Sequence, residues 1–273
     1  MIKIGLDTES LHLWFQNKRM DIFGFIEKAH ELGFDGVMIN ILKDYNLDPE
    51  WGTLESNDPE HLKKVRELLE SYHMYVELAT KGITREHLLK VLDVAEALGA
   101  DIIRTYIPIT LNPLASRTTG GEGKYDQAKV RGDFDPVVFD EAAMTLYQII
   151  PELKKRRIRL ALENHEYETS EELVQVMKKL NTPWIGLHYD FGNSMMAWED
   201  PAQAARNMAP YTITTHFKDH IVIPYPDDPY GYVVCGIPVG KGNMDLKHLL
   251  QIILDNSSIT RLNLEMCYPY CAQ

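Results

Sequence analysis

Short apolar runs alternate with longer amphipathic stretches along the whole chain. Apolar segments rich in β-branched residues at 2–7, 35–40, 74–79, 101–107, 158–164, 184–190, 211–217 and 261–266 read as strands. Between them, positions 21–33, 59–72, 84–99, 135–156, 170–180, 200–209 and 244–255 repeat apolar residues at helical spacing. Gly33 and Gly99 follow the last turn of two of these helices, as chain reversals after helices require. Ser170, followed by Glu171 and Glu172, offers a cap and an acidic first turn for the helix after the fifth strand. Eight strands separated by seven helices, with no break in composition over residues 1–273, predict one closed parallel (β/α)8 TIM barrel. A doubly wound open sheet fits less well, because no glycine-rich phosphate turn follows the first strand. Little chain follows the eighth strand, so the eighth helix is expected to be short or missing, its seam covered by another chain if not cut away.

Two connections exceed the usual few residues. The first, 108–133, carries Thr118-Thr119-Gly120-Gly121-Glu122-Gly123, and the second, 219–243, carries Gly236, Gly240 and Gly242. Both follow strands and so belong to the carboxyl end of the barrel, where such folds keep their chemistry. They read as lids or as surface decoration.

Composition narrows the partners. A formal charge of −12 disfavours nucleic acid and anionic membrane, since phosphate binding needs a basic face. No stretch approaches the ~18 apolar residues of a membrane span, and the start lacks a secretory pattern. Cys235, Cys267 and Cys271 are sparse and odd in number, as reduced cytoplasmic thiols are. Cys267 and Cys271 alone make a weak zinc signal.

Alternation along strands then selects candidate chemistry, because residues two apart share a face. It pairs Glu163 with His165, His188 with Asp190, His216 with Lys218, and Asn263 with Glu265. Glu163, Asp190, His216 and Glu265 thus arrive near the carboxyl ends of four consecutive strands, 27, 26 and 49 residues apart. A single acidic strand end is commonly a helix cap, and a lone interior histidine commonly a hydrogen-bonded core residue. Four coincident placements favour a metal, because buried charges are otherwise rare unless paired. Three carboxylates and an imidazole suit manganese first, with magnesium, cobalt or zinc as alternatives. Arg104, at the end of the fourth strand, is placed to bind a substrate oxygen or a ligand carboxylate, and Lys218 to hold a hydroxyl, phosphate or carboxylate. Leu11-His12-Leu13-Trp14-Phe15, after the first strand, reads as a wall for a bound ligand or as simple packing.

At these positions the sequence resembles the xylose-isomerase-like TIM-barrel superfamily, in particular its sugar phosphate isomerase/epimerase group. The resemblance is carried by Leu160-Ala161-Leu162-Glu163-Asn164-His165, Gly186-Leu187-His188-Tyr189-Asp190-Phe191-Gly192-Asn193, His216-Phe217-Lys218-Asp219, Pro238-Val239-Gly240-Lys241-Gly242 and Leu262-Asn263-Leu264-Glu265. It implies that Glu163, Asp190, His216 and Glu265 hold one divalent metal. It also implies catalysis by Glu163 and Glu265 on a keto-sugar, by α-proton abstraction through a metal-stabilised enediolate, with Arg104, His188, Asn193 and Lys218 against the substrate. Two positions depart from the epimerase pattern: Asn193 replaces a histidine three residues after the aspartate, and Thr169 replaces a second glutamate six residues after the first. These departures, and His165 as an added base, leave a lyase reading open. In that reading a dehydratase or C-glycoside deglycosidase eliminates a β-substituent from a 3-keto sugar. The larger subunit of such deglycosidases resembles this group and pairs with a smaller chain, so an oligomer, or a second subunit, is expected. A non-catalytic sugar-binding subunit is the remaining alternative.

Overall fold

A computed structural model describes residues 2–41, 47–48, 50–107, 137–165, 167–197, 199–224 and 231–266. Eight strands close into one parallel barrel: β1 (Lys3–Asp7), β2 (Gly36–Asn40), β3 (Tyr75–Ala79), β4 (Ile102–Thr105), β5 (Arg159–Glu163), β6 (Ile185–Asp190), β7 (Thr212–Phe217) and β10 (Arg261–Leu264). Around the barrel the order is β1-β10-β7-β6-β5-β4-β3-β2, so the last strand seals the sheet against the first. Strands covered on both faces have no polar side to show, which is why β2 and β6 are buried along their full length.

The helices are α1 (His12–Gln16), α2 (Ile22–Glu31), α3 (Pro59–Ser71), α4 (Arg85–Leu98), α5 (Val137–Tyr147), α6 (Ile150–Arg156), α7 (Ser170–Leu180), α8 (Asn193–Met196), α9 (Pro201–Met208) and α10 (Leu246–Asn256). Their apolar stripes supply Phe25, Val65, Leu92, Leu146, Val176 and Ile253 to the layer between helices and barrel. Asp21, Asp58, Thr84, Asp200 and Asp245 each cap a helix by accepting a backbone N–H in its first turn.

Four expectations change. The single helix over 135–156 is two, α5 and α6, because Pro151 cannot donate an N–H within a continuing helix and instead sits in the first turn of the second. The cap of α7 is Thr169, one residue before Ser170, in a reciprocal arrangement with Glu172. The 219–243 connection is not a plain glycine loop. Its described part contains an antiparallel hairpin of β8 (Asp219–Pro224) and β9 (Tyr232–Ile237), which exposes Val222, Ile223, Tyr232 and Val234. The Leu11–Phe15 cluster is largely helix α1 and its lead-in; Phe15 and His12 are buried while Trp14 is half-exposed. The 108–133 connection, Cys267, Cys271 and any eighth helix lie outside the described residues. Among the described residues no helix is long and apolar enough to cross a membrane.

Candidate metal centre

Glu163 and Asp190 are the last residues of β5 and β6, His216 is next to last in β7, and Glu265 follows β10 directly. Parallel pairing sets Asp190 beside His216 and Glu163 beside His188, so register alone brings the strand ends together. Asn164 locks that register: its side chain accepts from the Asp190 N–H at 2.8 Å and donates to the Asp190 carbonyl at 3.1 Å. Gly192 permits a close approach, since a Cβ there would lie 1.9 Å from the His220 ring.

The four expected ligands converge. Nδ1 of His216 lies 3.2 Å from Glu163 Oε1, 3.4 Å from Asp190 Oδ2 and 3.4 Å from Glu265 Oε1, all four side chains being buried. Fixed cations flank the cluster. Arg104 pairs with Glu163, while Lys218 pairs with Glu265 and, at 2.7 Å, with Asp190. Asn193 gives its backbone N–H to Asp190 Oδ1 at 3.1 Å and its side-chain amide to Glu163 Oε1 at 3.5 Å. Three of the groups read as substrate contacts, Arg104, Asn193 and Lys218, therefore touch the carboxylates of the expected ligands.

His188 also sits in the cluster. It is fully buried, its ring packs edge-on to His216 with centroids 4.1 Å apart, and its Nε2 lies 3.9 Å from Glu163 Oε1. Neither of its ring nitrogens has a hydrogen-bond partner. Burial first, then the neighbouring His216 and Arg104 charges, hold it well below the usual imidazole range, so it is neutral.

The donors fit a divalent cation. Asp190 Oδ2 and Glu265 Oε2 are buried carboxylate oxygens that share one ammonium, that of Lys218. Burial opposes ionisation of Asp190, yet Lys218 and His216 hold it well below the carboxylate range, and His216 and Lys218 likewise lower Glu265. Burial wins at Glu163, which is raised despite Arg104. With Asp7 included, four buried carboxylates face Arg104, Lys218 and His216; burial opposes charging of that imidazole, but Glu265, Asp190, Asp7 and Glu163 hold it well above the usual range. On binding, a divalent ion would take the place of the proton at His216 Nδ1, and its two charges with those of Arg104 and Lys218 would balance the four carboxylates. Glu163, Asp190, His216 and Glu265 would hold it.

His165 stands at the rim, partly exposed, its ring stacked on Tyr106 at 4.0 Å. Arg104 lies against the same Tyr106 ring at 5.1 Å. Burial, then the Arg104 and Lys218 charges, push His165 well below its usual value and keep it neutral. The Gly240-Lys241-Gly242 turn does not cradle phosphate here: the Gly240 and Gly242 N–H groups, each at 2.9 Å, already donate to Asp219 Oδ2.

Sequence reasoning missed two residues of this site. Asp7, at the end of β1, lies 3.2 Å from Nε2 of His216. Strand alternation applied to β1 would have flagged it. Glu168 is buried in the turn after β5 and accepts the backbone N–H of His165 at 3.2 Å and of Tyr167 at 3.3 Å. That turn has no periodicity to point to it.

A barrel with acidic and imidazole groups gathered at the carboxyl ends of strands five to eight defines a class, and comparison with known proteins agrees. Residues 26–269 match the model of the xylose isomerase-like TIM barrel family, to which the chain belongs. It is 25% identical over 270 residues to 3-oxo-isoapionate decarboxylase of Pectobacterium atrosepticum, covering 98% of this chain and 87% of the relative. A xylose isomerase-like TIM barrel protein from Mycobacterium smegmatis, solved in complex with magnesium, superposes with a TM-score of 0.68 at 18% identity, covering 99% and 92% of the two chains. D-psicose 3-epimerase from Clostridium cellulolyticum H10, solved with D-tagatose, gives a TM-score of 0.63 at 13% identity over 96% and 84%.

Proposed function

We propose that the protein is a divalent-metal-dependent isomerase or epimerase acting on a keto-sugar, with manganese as its ion ahead of magnesium, cobalt or zinc. One observation carries the reading: Glu163, Asp190 and Glu265 all reach Nδ1 of one buried histidine within 3.4 Å at the barrel mouth. When bound there, a divalent ion supplies Lewis-acid polarisation of a carbonyl and its neighbouring hydroxyl, which acidifies the α-proton. Glu163 and Glu265 come from β5 and the end of β10, with β6 and β7 between them, so a sugar lying over His216 has a carboxylate to either side. His165, neutral and partly exposed, accepts a proton at the rim. Return of the proton to the same carbon gives an epimer, and to the neighbouring carbon an isomer. Incubation with keto-sugars in deuterium oxide tests this: Mn2+-dependent exchange of an α-proton is expected, at least ~100-fold slower in Glu265→Gln. No exchange across ketopentoses and ketohexoses, free and phosphorylated, sinks the proposal.

A lyase reading has its own support in Asn193, Thr169 and the similarity to a decarboxylase of a 3-oxo sugar acid. Loss of water or an aglycone β to the ketone would begin with the same α-proton removal, whereas loss of carbon dioxide from the α-carbon would need no base, only stabilisation of the resulting enolate. It predicts product release from a 3-keto sugar, with His165→Ala inactive but metal-replete. Elemental analysis of Glu163→Gln, Asp190→Asn, His216→Ala and Glu265→Gln should show less bound ion than the parent under either reading.

A further inference from the structure

Asp7 has been used so far only as a neighbour of the cluster, yet its surroundings fix what it does. Its Oδ1 accepts two hydrogen bonds, from the Glu9 N–H at 2.6 Å and from the Asn40 side-chain amide at 2.7 Å. Thr8, between them in sequence, accepts the Asn40 N–H at 2.9 Å and bonds the Thr53 hydroxyl at 3.0 Å, so this end of β1 is tied to β2 and the loop beyond. Only Oδ2 remains, and it lies 3.2 Å from His216 Nε2. The other group near Nε2 is the Met38 sulfur, also at 3.2 Å. A carboxylate and a thioether accept and do not donate. Nε2 must therefore carry a proton, and Nδ1, which faces only the carboxylates of Glu163, Asp190 and Glu265, is the nitrogen that would exchange its proton for an arriving cation.

We infer that Asp7 is a positioning residue: by accepting from Nε2–H it fixes the tautomer and tilt of His216, so that Nδ1 is the atom offered to a divalent cation. The inference rests on the metal reading above but not on the sugar chemistry. It stands against a rival arrangement in which Asp7, a ring nitrogen of His216 and Glu265, whose donor atoms also gather within 4.8 Å of one another, bind the ion directly. Outer partners of this kind orient metal-ligating histidines in general.

The neighbours of Asp7 make an unusual prediction for its amide variant. In Asp7→Asn the two donors that now hold Oδ1 would retain the amide oxygen, turning the NH2 group toward His216. That NH2 needs an acceptor, so it selects the tautomer protonated on Nδ1, the wrong one for a cation. In Asp7→Ala a water can fill the space and turn to accept. The near-isosteric variant is thus expected to be the more damaging.

Calorimetric titration of the full chain with Mn2+ reads this. Asp7→Asn should weaken binding ~10–100-fold and more than Asp7→Ala does. Side-chain 15N spectra of the Zn2+-loaded parent should show metal on Nδ1 of His216 and hydrogen on Nε2, a result that does not depend on how well either variant folds. Parent-like affinity in Asp7→Asn, a larger loss in Asp7→Ala, or metal on Nε2 each overturns the inference while leaving the metal reading standing. A parent that binds neither Mn2+ nor Zn2+ overturns both.

Discussion

Burial pushes the Glu168 carboxyl up to about 7, with the Glu163 charge adding to the rise and backbone N–H bonds opposing it. The folded protein therefore holds a proton on Glu168 between the ordinary carboxylate range and neutrality, where the unfolded chain has lost it. Its contribution to stability is fully present below the unfolded pKa and is lost as pH rises through about 7. A glutamine offers the same acceptor to the His165 and Tyr167 N–H groups without that penalty. Glu168→Gln should be more stable than the parent at pH 8 by on the order of 1–3 kcal/mol, a gain that vanishes by about pH 4. Urea unfolding at the two pH values checks it, and a pH-independent difference would refute the assignment. Because Glu168 holds the backbone of His165, the same variant also reports whether that tie matters to the rim imidazole.

The strand-to-helix turn after β6 concentrates the site's steric demands. Gly192 has the His220 ring where a Cβ would stand and the Lys218 side chain 3.1 Å away, while its N–H donates to Asp190 Oδ1 at 2.8 Å. Gly192→Ala must displace an imidazole and press on the lysine that pairs with Asp190 and Glu265. A loss of ~1–3 kcal/mol in guanidinium unfolding is expected, together with weaker Mn2+ binding; unchanged binding would show that Lys218 is not held from this side. At this scale the sequence was largely legible. Alternation grouped Glu163, His188, Asp190 and His216 by strand face, because the period of two decides which side of the sheet a side chain takes. It placed seven helices nearly in register and erred where a proline or a cap decides a boundary. What it could not supply were contacts between remote strands. Asp7 and His216 are 209 residues apart, and Asp7, followed by Thr8, Glu9 and Ser10, looks like the cap it partly is. Likewise Arg104 and Lys218 were recognisable as site cations, and carboxylate pairing was one reading of Arg104; the closed barrel adds the partners, Glu163 for Arg104 and Asp190 with Glu265 for Lys218.

Over the whole molecule, strands from both sides of the barrel seam supply the centre: Asp7 from β1, Glu163 from β5, and Glu265 from beyond β10, which pairs with β1. An ion gripped by Glu163, Asp190, His216 and Glu265 would bind the folded chain and have no comparable site in the unfolded one, so it would raise stability by mass action. At a free Mn2+ concentration 100 times its dissociation constant the gain is about 2.7 kcal/mol. For a domain of this size that corresponds to a rise of ~5–10 °C in Tm. Glu265→Gln removes a carboxylate that touches both His216 and Lys218 but leaves the barrel's hydrogen bonds intact, so its shift at the same ion concentration should be smaller. Thermal melts of parent and variant, each in chelator and in a Mn2+ series, separate the effects: the chelator melts compare the folds, and the ion-dependent increments compare the sites. Identical increments in the two proteins would mean that the stabilising ion sits elsewhere, and that the acidic mouth of the barrel is held together by Arg104 and Lys218 alone.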